Sequence, residues 1–84
     1  MTAPARENTV TFPLYERIAA TYRDRITSGA LPPGTKLPTV DAIKAEFGSS
    51  VMPVRTALFV LRQEGLIVFS PGVGNVVAER KPDG

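Results

Sequence analysis

The residues with chemistry to offer lie along one face of one segment. Between positions 50 and 64, Met52, Arg55, Thr56, Phe59, Arg62 and Gln63 recur at helical spacing, opposite the apolar Val54, Leu58 and Leu61. Guanidinium, hydroxyl and amide groups on such a face suit anion binding and hydrogen bonding rather than catalysis. The rest of the chain agrees. It has no Cys and no His, which removes disulfides, thiolate zinc sites, Cys nucleophiles and His general bases together. Its acids are scattered, with no Asp/Glu pair placed to share a site. No catalytic residue, metal ligand or cofactor is expected.

The elements that must position this face can be read in order. At 84 residues the chain makes one small domain, and its 43% hydrophobic content is enough for a packed core. Residues 1–10 are expected to form a disordered arm, 11–80 the domain and 81–84 a polar tail. A first helix should start at 11–13, with Thr11 or Phe12 at the cap and Pro13 in the first turn. Leu14, Ile18, Tyr22 and Ile26 form its buried stripe, and Ser28-Gly29 ends it. Tyr15 and Tyr22 fall on or beside that stripe, so they read as core or rim rather than base-stacking platforms. Pro32, Pro33 and Gly34 build a rigid turn, after which Lys36-Leu37 could pair with the edge of a later hairpin. A second helix is capped by Thr39, carries Asp41 in its first turn, buries Val40, Ile43 and Phe47, and stops at Gly48.

The third helix runs from the 50–53 region to Glu64 and is stopped by Gly65. Strands at 66–69 and 76–78 follow, joined by a Pro71-Gly72-Val73-Gly74 turn. A helix stopped by glycine and followed at once by a hairpin is the layout of a winged helix-turn-helix. The fold expected is mainly α with a small β-hairpin wing, three helices plus two to three short strands, and the function expected is DNA binding. A net charge of +2 and a pI near 9.4 permit that function without arguing for it. No stretch is long or apolar enough to span a membrane, and the N-terminus lacks a secretory signal, so a cytoplasmic location is expected.

The ordered set of residues resembles the N-terminal DNA-binding domain of the GntR family of bacterial transcription regulators. The pattern is Leu14-Tyr15, Ile18, Ile26-x-x-Gly29-x-Leu31-x-Pro33-Gly34-x-x-Leu37-Pro38, Phe47-Gly48, Val54-Arg55-x-Ala57-Leu58-x-x-Leu61, Glu64-Gly65-Leu66-Ile67 and Gly72-x-Gly74-x-x-Val77. The resemblance implies a regulator that binds double-stranded operator DNA, with helix 3 in the major groove and the wing in the adjoining minor groove. It assigns DNA contacts to Thr39, Ser50, Val51, Met52, Arg55, Thr56, Gly72, Val73, Gly74 and Asn75.

Several of these positions depart from the family's usual chemistry. Asp41 stands where the family usually has an arginine early in helix 2. Val51 replaces a guanidinium that could read guanine, while Met52 and Pro53 offer only apolar contact, such as with a thymine methyl. Val73 lies between the wing glycines where Arg or Lys is common. Arg55 is retained and is the first choice for a DNA contact; its other reading is a surface arginine paired with Glu64. Pro53 falls at N3 of the helix if Ser50 is the cap, or at N1 if the helix starts later. Phe59 either packs against Val68 or Val73 of the wing, or joins Val51 and Met52 in a patch for a protein partner. The alternative function is therefore a winged-helix protein-interaction module with weak or lost DNA binding. The family's effector or oligomerisation domain has no room in 84 residues, so a lone module would bind a half-site weakly unless it forms a homodimer or belongs to a larger chain.

Overall fold

The computed structural model describes residues 12–79. The arm expected over 1–10, the tail over 81–84 and the expected domain ends Thr11 and Arg80 lie outside them. Helices α1 (Leu14–Thr27), α2 (Val40–Phe47) and α3 (Val51–Gln63) are followed by strands β1 (Ile67–Ser70) and β2 (Gly74–Val77).

Helix α1 buries the stripe its spacing dictates: Ile18, Ala19, Tyr22 and Ile26 are inside, and Leu14 flanks them. Its start differs from expectation. Pro13 itself is the N-cap, with ψ at 151°, and its carbonyl accepts from the N–H groups of Glu16 and Arg17. The proline ring fixes φ but leaves ψ free, so Pro13 can stand half outside the helix. Helix α2 is capped as expected, with Thr39 Oγ1 accepting from the Ala42 N–H at 3.1 Å. Only Ile43 is fully buried on this short helix, while Val40 and Phe47 are half-buried beside the core. Gly48 ends α2 in the left-handed region at φ 62°, a conformation in which a Cβ would be strained.

Helix α3 presents Val54, Ala57, Leu58 and Leu61 to the core and packs chiefly against α1. Each fully buried Val or Leu there contributes about 1.5–3 kcal/mol of transfer free energy. The antiparallel hairpin pairs Ile67 with Val77, Val68 with Val76, Phe69 with Asn75 and Ser70 with Gly74. Its strands sit one residue or more closer to the turn than the sequence suggests. Alternation puts Ile67 and Val77 into the core and carries Phe69 and Asn75 further out along the same sheet face. A third, one-residue strand completes the wing, as Lys36 bridges to Val76. The Leu37 N–H donates to Asn75 O, the Val77 N–H to Thr35 O and the Gly34 N–H to Val77 O, each at 2.8 Å.

Side-chain ties between helices complete the frame. The Tyr22 hydroxyl donates to Glu46 at 2.7 Å, and Arg25 stacks over the Tyr22 ring while holding the other Glu46 oxygen at 2.7 Å. At the far end of α3, Arg23 grips Glu64 with two hydrogen bonds of 2.8 and 2.7 Å. Among the described residues no charged side chain is buried and Tyr22 brings its hydroxyl to the edge of the core, and no helix is long and apolar enough to cross a membrane.

Candidate nucleic-acid interface

The outer face of α3 meets the wing in a shallow cleft of about 430 Å³. Its walls are Val40 of α2, Arg55, Leu58 and Arg62 of α3, and Phe69 and Asn75 of the wing. Arg55 and Arg62 lie seven residues, two helical turns, apart on the same side of α3. The Arg62 guanidinium donates to Asn75 Oδ1 at 3.3 Å. Glu64 is taken by Arg23, so the alternative pairing of Arg55 with Glu64 is not found. Among the described residues neither Arg55 nor Arg62 has a carboxylate partner.

The distribution of charge matters more here than the sum. Arg23 and Arg25 on α1 are neutralised by Glu64 and Glu46. Hydrogen bonds from Arg25 first, and from Tyr22, hold the Glu46 carboxyl below its ordinary pKa, and Arg23 does the same to Glu64. Burial, reinforced by the bond to Glu46, pushes the Tyr22 hydroxyl up to about 12. With those pairs spent on structure, uncompensated positive charge remains on the α3 and wing side, where Lys36 is also exposed. Asp41 stands against it: its side chain is 90% exposed at the start of α2, with Lys44 at 3.8 Å.

The tip of α3 is unusual in its own way. Ser50 is the N-cap, and its side chain makes no capping bond. Pro53 is therefore at N3, where it has no N–H to give, and the alternative start with Pro53 at N1 is excluded. The Ser49 hydroxyl instead donates to Ser50 O at 2.7 Å. Val51 and Pro53 are half-buried, while Met52 is 65% exposed. Phe59 remains 52% exposed and outside the core cluster, so the hairpin does not bury it. Thr39 is exposed at the start of α2, and Thr56 is half-buried on α3. Gly72 and Val73 are exposed at the wing tip, and Gly74 and Asn75 begin β2.

The structure thus gathers Arg55 and Asn75 around one cleft, with Met52 and Ser50 beyond its α3 end and Thr39 at the neighbouring helix start. Arg62 and Lys36 are the residues to which sequence reasoning assigned no DNA contact, although Arg62 was placed on the outer face of the helix. A signal for Arg62 was present in its two-turn spacing from Arg55.

Residues 14–77 match the bacterial regulatory proteins, gntR family. The chain belongs to the GntR family. This GntR domain is 41% identical over 69 residues to the mannosyl-D-glycerate transport/metabolism system repressor MngR of Escherichia coli (strain K12), covering 82% of the chain and 29% of the repressor. It is 39% identical over 69 residues to the histidine utilization repressor of Klebsiella aerogenes, with 82% of the chain and 29% of that repressor covered. The chain therefore spans less than a third of the length of either repressor. Among solved structures it is similar to the DNA-binding domain of AraR in complex with operator ORR3, with a TM-score of 0.78 and 29% identity over 82% of this chain and 83% of that one. It is also similar to YtrA from Sulfolobus acidocaldarius, a GntR-family transcription factor, with a TM-score of 0.78 and 30% identity over 87% and 62% of the two chains. The GntR domain is thus a winged helix-turn-helix of a DNA-binding regulator family, and the expectation of such a domain rather than an enzyme is borne out.

Proposed function

We propose that this domain docks on operator DNA with α3 in the major groove and the wing in the adjoining minor groove, through a contact set unlike the one its family usually carries. The observation that carries the reading is the pair of exposed arginines, Arg55 and Arg62, without carboxylate partners beside the wing. AraR, whose DNA-binding domain is similar over most of this chain, is bound to its operator. Arg55 and Arg62 approach phosphates or a guanine edge, with Asn75 holding Arg62 toward the wing. Thr39, whose oxygen caps α2, keeps its hydroxyl proton for a phosphate, and the uncommitted Ser50 hydroxyl does the same at the tip of α3. Thr56, Gly72, Val73 and Gly74 line the approach, the glycines bringing wing backbone close to the sugar edges. Asp41 opposes binding by facing the phosphates with a like charge.

A second reading draws support from Met52 and Phe59, two exposed apolar side chains on the outer face of α3. With Val51 they would contact a protein partner or a second copy of the chain.

Gel shifts on duplexes selected from a random library, at several salt concentrations, separate the two readings. A small set of arginine and lysine contacts gives a modest slope of log K against log salt, about 0.9 for each phosphate neutralised. Arg55→Ala should weaken binding and lower the slope by about 0.9, and Asp41→Arg should strengthen binding and raise it by a similar step. Failure to select any duplex at low salt removes the DNA reading.

A further inference from the structure

We propose that Met52 is a specificity residue that reads the methyl group of a thymine in the major groove. The inference rests on the DNA-docking reading above and names the base it favours. Met52 is the most exposed of the large apolar side chains among the described residues, at 65%. It sits at the second position of α3, in the first turn. Helical Cα–Cβ bonds tilt toward the N-terminus, so this side chain projects past the end of the helix. Residues at that end of a recognition helix are the ones that reach base edges.

Nothing in the first turn competes with it. Residues 51–54 are Val, Met, Pro and Val, and the turn carries no acid. Val51 and Pro53 are half-buried and flank Met52, so the tip of α3 is an apolar point with Arg55 one turn behind it. A thioether has no donor and is a weak acceptor, so it gains little from the polar edges of guanine, adenine or cytosine. The thymine methyl is the one apolar group in the major-groove pattern. Methionine is flexible and polarizable and can follow a methyl group through small changes in docking. The side chain thus selects a T·A pair at the position the helix tip reaches, while Arg55 supplies charge beside it.

The test works at the level of that one methyl. A duplex selected by the full chain from a random library is resynthesised with each thymine replaced in turn by deoxyuridine, and the dissociation constant is measured for each. The expected result is a loss of about fourfold at one or two thymines, the factor associated with burying one methyl group, and near-unity ratios elsewhere. In Met52→Ala, whose folding is checked by circular dichroism, those ratios should fall to one. Uracil tolerated at every position, with binding intact, overturns the methyl assignment and leaves the DNA reading standing. A uracil effect that persists undiminished in Met52→Ala overturns the role of Met52. Unchanged affinity and base preference in Met52→Ala also overturns it and returns the side chain to a protein contact. Absence of any selected duplex overturns the proposal together with the DNA reading on which it rests.

Discussion

Ser50→Ala should cost almost nothing in the natural sequence and about 1 kcal/mol once Pro53 is replaced by alanine. The difference follows from the geometry at the start of α3. Ser50 has the extended backbone of an N-cap, at φ −90° and ψ −176°, yet its side chain accepts no hydrogen bond from the helix. A capping serine normally accepts from the N–H at N2 or N3, and losing that bond costs about 1 kcal/mol. Here N3 is Pro53, so the bond to N3 does not exist and Ser50→Ala removes nothing from it. The expected change is within about 0.5 kcal/mol, the range of ordinary surface substitutions. Pro53→Ala restores an N–H at N3 and gives Ser50 a partner. That gain of about 1 kcal/mol is offset by the greater freedom of the unfolded chain, worth about 0.4–1 kcal/mol, so Pro53→Ala alone is nearly neutral. In that background Ser50→Ala should lower stability by about 1 kcal/mol, or about 4–8 °C in Tm for a domain of this size. Urea and thermal unfolding of the four proteins of the cycle give the coupling directly. Equal costs in the two backgrounds would refute the reasoning. The same cycle clarifies function: loss of DNA affinity in Ser50→Ala, with stability unchanged, reports a contact to DNA.

Three further outcomes are expected. Arg62→Ala should change stability by less than about 0.5 kcal/mol, because its bond to Asn75 is exposed, but should lower the salt slope of DNA binding by about 0.9, whereas Arg62→Lys should keep it. Acid should destabilise the fold: Glu46 and Glu64 have lowered pKa values, so their contribution is complete above the unfolded carboxyl value of 4.5 and disappears as pH falls through the folded values. Urea titrations from pH 6 to pH 3 should show a flatter decline in Glu64→Gln and Glu46→Gln than in the natural sequence. Leu61→Ala, at a fully buried position, should cost about 2–5 kcal/mol, a large share of what a small domain has, and should be visible as a strongly lowered Tm by circular dichroism.

The helices were legible because their apolar residues repeat with the period of the structure they form. Leu14, Ile18, Tyr22 and Ile26 on α1, and Val54, Leu58 and Leu61 on α3, needed no tertiary information to be placed on one side. Thr39 and Gly48 were legible for a different reason, since each supplies a group or a conformation that a helix end requires. The start of α1 was less so, because a proline is compatible with either the cap or the first turn. The pairing of Lys36-Leu37 with the hairpin edge was legible from the sequence, but the side-chain links between elements were not. Arg23 and Glu64 are 41 residues apart, and periodicity reports the face a residue occupies, not what lies opposite. The fate of Arg55 therefore depended on a partner chosen elsewhere, by Arg23. Arg62 was placed on the correct face, but its meeting with Asn75 depends on where the hairpin folds back.

The joint between the wing and the turn before α2 has an evolutionary consequence. Gly34, Thr35 and Leu37 are hydrogen-bonded to Asn75 and Val77 through main-chain N–H and C=O groups, and the Leu37 and Val77 side chains are buried in the core. The main-chain bonds are indifferent to changes in the side chains that point to solvent. The surface that faces outward can therefore drift, one residue after another, without disturbing the spacing between helix start and wing. In the docking proposed above, Asp41, Val51, Met52 and Val73 are positions that can change while this joint is kept. Selection for new operators can begin from these positions with the architecture already secured.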